Sequence, residues 1–112
     1  MSKPTKYQWQ QGDVIGELVP VVPAGCKAIK DKRGAVLAEG EITGHYHAVE
    51  DTEGVELLEA PDRSRFLVVA QGSRAVLTHQ EHKPVTIPPG RYRIGQVREK
   101  DWFQDMVRTV RD

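Results

Sequence analysis

The chain has 112 residues, 38% of them apolar and 29% charged, a balance that fits one folded domain with a modest core rather than a disordered segment. Its formal net charge is zero, which argues against a polyanion as partner, and the single cysteine, Cys26, excludes an intramolecular disulfide or a multi-cysteine zinc site. The longest apolar runs, such as residues 66–70, are far too short to span a bilayer, and residues 1–6 lead into no apolar signal segment. These features predict one soluble β domain over residues 1–112, cytoplasmic, with no membrane partner and with Cys26 as an ordinary structural residue.

Taken in chain order, the pattern is β throughout. Residues 13–19 read as a first strand, stopped by Pro20 and Pro23. Residues 26–30 alternate apolar and charged side chains, as a half-buried strand does. After the polar turn at residues 31–34, a strand over 35–42 is predicted, then another over 45–50 beyond Gly44. Residues 51–54 read as a hairpin-like loop before a strand at 55–59. Strands at 65–70 and 74–79 are predicted to pair around Gln71-Gly72-Ser73. Pro88-Pro89-Gly90 reads as a turn feeding a strand through Tyr92 and Ile94. Only residues 101–107 suggest a short helix, and Trp9, Trp102 and Phe103 read as packing residues near the termini. Short strands at short spacing predict an all-β fold, a compact barrel or sandwich of about seven to nine strands.

All four histidines fall in two clusters, His45/His47 and His79/His82. Residues i and i+2 of a strand share a face, so His45 and His47 are predicted to stand side by side with Tyr46 opposed to them. If distant strands bring the second cluster alongside, the imidazoles can hold a divalent zinc, iron, nickel or manganese ion. His45, His47 and His82 are the first candidates as ligands, with His79 as the alternative third. Glu50, Glu53 or Glu81 would complete the set. The first cluster lies in an acidic block: residues 39–62 carry eight acids and no Lys or Arg, so the rest of the neutral chain carries +8. Such a surround attracts cations and repels a phosphate backbone, which makes nucleic acid an unfavourable partner.

The segment Gly40-Glu41-Ile42-Thr43-Gly44-His45-Tyr46-His47-Ala48-Val49-Glu50 partly resembles the first motif of the cupins, small β-barrels with an HxH pair, a nearby Glu and a later His. The resemblance implies a cupin-like barrel and a metal held by His45 and His47. It departs from the cupin pattern at the Pro-x-Gly turn, where Arg91 follows Gly90 and no histidine appears. Across most of its length the chain also looks like a small bacterial or phage-borne family with no established activity. That likeness lies in Gln11-Gly12-Asp13-Val14, residues 38–45, residues 77–84 and Ile87-Pro88-Pro89-Gly90-Arg91-Tyr92.

Two other classes of function fit the same residues. A metal-independent ribonuclease would use one histidine as base and another as acid, with Arg91, Arg93, Arg98, Arg108 and Arg111 holding phosphate. A non-catalytic module would use the clusters as a hydrogen-bonded network and bind another protein, or further copies of itself as a homo-oligomer. No complete catalytic motif is present, and the sequence names neither a reaction nor a small-molecule substrate.

Overall fold

The computed structural model describes residues 7–40 and 44–96. Ten strands are present among them: β1 (Gln8–Gln11), β2 (Val14–Leu18), β3 (Lys27–Ala28), β4 (Ala35–Glu39), β5 (Tyr46–Val49), β6 (Val55–Glu59), β7 (Arg65–Val69), β8 (Ala75–Thr78), β9 (Val85–Ile87) and β10 (Gly90–Gln96). They form a six-stranded sheet in the order β1-β2-β10-β7-β6-β3 and a four-stranded sheet in the order β4-β5-β8-β9. Every pairing is antiparallel. The fold is therefore all-β and sandwich-like; it is not a closed barrel, and it has one strand more than the upper end of the predicted range.

Inward side chains of both sheets meet in one core. Val14, Val49, Leu67, Leu77, Ile87 and Tyr92 are its largest fully buried side chains, and Trp9, Leu37 and Leu57 pack with them. The period-2 alternation read from the sequence supplies these residues: Val55 and Leu57 are buried on β6 while Glu56 is exposed. A β-bulge in β4 between Val36 and Ala38 inserts Leu37, which is also buried.

The structure changes the predicted connections. β7 and β8 do not pair around Gln71-Gly72-Ser73; β7 pairs with β6 and β10, and β8 with β5 and β9. Residues 51–54 likewise join β5 in one sheet to β6 in the other rather than closing a hairpin. Both loops turn the chain from sheet to sheet, and sheet changes leave the same Gly-rich signature as hairpins. The strand at residues 26–30 shrinks to Lys27–Ala28, both exposed, at the edge of its sheet. Pro88-Pro89-Gly90 does feed β10, with Gly90 at φ 153° and the Tyr92 hydroxyl donating to the Pro88 carbonyl at 2.7 Å. Trp9 is core, in edge contact with Tyr92 at 5.9 Å between ring centroids. The helix expected at 101–107, with Trp102 and Phe103, lies outside the described residues. Cys26 is a free, half-buried thiol. Among the described residues no helix is long and apolar enough to cross a membrane.

Candidate functional site

Strand register brings the histidines together. β5 and β8 run antiparallel with Ala48 opposite Thr78 and Val49 opposite Leu77. One residue beyond the Ala48–Thr78 pair lie His47 on β5 and His79 just after β8. Directly opposed residues share a face at close range. The His47 and His79 ring centroids are 4.3 Å apart, and His45 Nδ1 lies 3.5 Å from Glu81 Oε1. The Tyr46 amide donates to Gln80 Oε1 at 2.8 Å, tying the β8–β9 connection to the start of β5. That connection also carries His82, whose ring is 4.6 Å from His79 and 5.9 Å from His47. His45 meets His79 edge-on at 5.5 Å. The four imidazoles of the two sequence clusters thus form one patch, and Tyr46 points away from it, under the Arg33 guanidinium at 4.7 Å.

The other wall comes from the β1–β2 turn, which the sequence reading did not assign to the site. Gln11 is 3% exposed at the end of β1 and reaches His47: its Oε1 lies 2.8 Å from His47 Nδ1. Its amide nitrogen donates to the carbonyls of Leu77 and Lys83, each at 2.9 Å. Gly12 takes φ +58°, and a Cβ there would sit 2.7 Å from His82 Nε2, so only glycine lets that ring lie against the turn. Asp13 then places Oδ1 at 3.3 Å from His47 Nε2, while its Oδ2 accepts from Gln96 Nε2 at 2.8 Å. The cup is graded in depth: His47 is 5% exposed at its floor, His79 and His45 are half-buried, and His82 is exposed at the rim.

Electrostatics follow from that depth. Burial, then the proximity of His79, pushes the His47 pKa below the ordinary histidine value against the opposing pull of Asp13. Burial also lowers His79, helped by His82 and His45. Both imidazoles are therefore biased toward the neutral form, the one that ligates metals. The His79 Nδ1 accepts the Glu81 amide hydrogen at 3.0 Å. Among the described residues, no three His, Cys, Asp or Glu side chains stand, as they are, in positions to hold one ion.

Glu50 does not join the patch. It is exposed beyond the far end of β5, and its odd offset from His47 puts it on the other strand face. The carboxylates beside the histidines are Asp13 and Glu81 instead. Arg91 and Arg93, invoked for phosphate, are not brought to the histidines either. Both are exposed on β10, and Arg91 donates to the Pro20 carbonyl five residues along the strand from Gln96, about 17 Å away. Arg98, Arg108 and Arg111 lie outside the described residues. The sequence signal for Gln11 and Asp13 is the tight polar turn Gln11-Gly12-Asp13 directly before a buried strand.

A family model described as a domain of unknown function, DUF8820, matches residues 10–97. The chain belongs to this family. The DUF8820 span starts one residue before Gln11 and ends one after Gln96, so it contains every group of the cup. No curated protein and no solved structure matches the chain, and the cupin resemblance of the HxH segment finds no counterpart in these comparisons.

Proposed function

We propose that this DUF8820 chain binds one divalent transition-metal ion, zinc or a close relative such as iron or nickel, in the cup formed by His47, His79, His82 and Asp13. The observation that carries the proposal is the convergence of every histidine in the chain on one patch beside a carboxylate. Two imidazoles on a tetrahedral ion, with nitrogens at about 2.0–2.1 Å, have ring centroids about 5 Å apart. The ring separations among His47, His79 and His82 are 4.3, 4.6 and 5.9 Å, which bracket that spacing. A solvated histidine patch with no ligand has no such requirement.

Loading the ion requires one rearrangement. A histidine that ligates through Nε2 carries its hydrogen on Nδ1, but His79 Nδ1 accepts from the Glu81 amide. His79 must give up that bond and turn, whereas His47 already faces Asp13. His45, paired with Glu81 at the rim, takes the place of a reserve ligand rather than a first one. Nitrogen donors with one carboxylate select against calcium and magnesium, which prefer all-oxygen sets. The test is elemental analysis of protein purified without an affinity tag. The proposal expects close to one equivalent of zinc, iron or nickel in wild type and little in His47→Ala; metal-free protein that also takes up none on dialysis against zinc would refute it.

A further inference from the structure

The hydrogen bonds around Gln11 decide which atom of His47 is available. The Gln11 amide nitrogen contacts two backbone carbonyls, Leu77 O and Lys83 O, both at 2.9 Å. Carbonyl oxygens only accept, so that end of the side chain must be the NH2 group and both of its hydrogens are used. The other end, Oε1, is then an acceptor facing His47 Nδ1 at 2.8 Å, and Nδ1 must carry the hydrogen. A neutral imidazole has one N–H. With Nδ1 turned to Gln11, Nε2 is the His47 nitrogen left to face a cation, and it lies 3.3 Å from an oxygen of Asp13.

An imidazole nitrogen and a carboxylate oxygen this close share a positive centre, a proton or a metal ion. The other Asp13 oxygen accepts from Gln96 at 2.8 Å, and the Asp13 backbone follows the tight turn at Gly12. An ion about 2.0–2.1 Å from both atoms would see a 3.3 Å separation at about 107°, close to the tetrahedral angle. We infer that His47 Nε2 and Asp13 Oδ1 form the preset half of a seat for a zinc-like divalent ion, with Gln11 as the positioning residue that fixes the His47 tautomer. The inference rests on the metal reading above and adds to it the two ligand atoms fixed in advance and the residue that fixes one of them. His79 and His82 close the other half. Their rings lie within 6 Å of His47 on the chain segment that Gln11 also holds, through the Lys83 carbonyl.

The experiment is nitrogen-15 NMR of the histidine side chains in labelled, tag-free protein at pH 8, first with EDTA and then with one equivalent of zinc. His47 is expected as the Nδ1–H tautomer with an unprotonated Nε2, and zinc is expected to shift Nε2 while Nδ1 keeps its hydrogen. Asp13→Asn, a change at a half-exposed side chain, is expected to weaken zinc binding at least tenfold and leave the tautomer unchanged. Zinc binding with His47 as Nε2–H, or doubly protonated in EDTA, would overturn the inference and leave the metal reading standing. So would Asp13→Asn binding zinc as wild type does. The expected tautomer with no zinc-induced shift would overturn the metal reading, and the seat with it.

Discussion

Trp9 and Gln11 sit two residues apart on β1, point to the same face and are equally deep, at 5% and 3% exposed. Their surroundings are opposites. Trp9 lies in the apolar core, flat against Gly16 and edge-on to Tyr92, and its Nε1 has no hydrogen-bond partner among the described residues. Gln11 has its oxygen and both amide hydrogens engaged. The core tolerates one orphaned donor because burying an indole removes about 150–250 Å² from water, a larger gain than one unmade hydrogen bond costs. Gln11 has no such apolar reserve, so each of its polar atoms is partnered. On the metal reading proposed above, the close approach of His47 Nε2 to Asp13 is where the cation would sit. One end of the strand serves packing, the other a buried hydrogen-bonded network.

The largest expected effect is at the packing end. A Cβ on Gly16 would lie 2.1 Å from Trp9 Cζ2, so Gly16→Ala must displace the indole from the core. A loss of about 3 kcal/mol or more in urea unfolding is expected, with zinc binding retained in whatever folds. Should Gly16→Ala be neutral, the Trp9–Gly16 contact is misplaced. At the cup, His47→Ala leaves the Gln11 oxygen buried without its donor and is expected to cost about 1–3 kcal/mol in EDTA. Zinc should then stabilise wild type further and His47→Ala by much less. A loss of stability that appears only with zinc present would mean that Gln11 and His47 do not form a structural pair.

Gly90→Val tests the junction of β9 and β10. The new Cβ would meet Leu18 Cδ1 at 2.9 Å on a backbone at φ 153°. A cost of roughly 1 kcal/mol is expected, since part of the clash is with the end of a flexible side chain. The smallest effect is that of pH on metal-free protein. His47 and His79 have folded pKa values below the unfolded one, so the unfolded chain binds more protons on acidification. Their contribution to stability is complete above about pH 6.5 and is lost as pH falls through the folded values. The urea midpoint in EDTA should therefore drop from pH 7.5 to pH 5, and less steeply in His47→Ala. A midpoint that rose on acidification would contradict the burial of these imidazoles.

The strands were legible where side chains alternate. Residues 55–59 were read with the bounds that β6 has, and HxH on a strand was enough to put His45 and His47 on one face. β1 was not legible, because its sequence is Gln-Trp-Gln-Gln and a buried glutamine looks polar until its three partners, 36 to 72 residues away, are known. β9 is three residues between two prolines, too short for a period. That every histidine falls in one of two clusters suggests that the clusters meet; the register of β5 on β8 is the physical cause, and register between strands about thirty residues apart leaves no local mark. The same absence of local marks put Glu50 in the candidate ligand set and left Asp13 out.

Zinc titration of the tag-free chain against a chromophoric chelator tests the central claim most directly. One zinc per chain is predicted, with a dissociation constant of about 1 µM or tighter, and at least tenfold weaker binding in both His47→Ala and His82→Ala. Glu50→Gln should bind as wild type does. A chain that fails to compete with the chelator for zinc, or zinc that binds equally well to wild type and both histidine variants, would contradict a metal centre built from this cup.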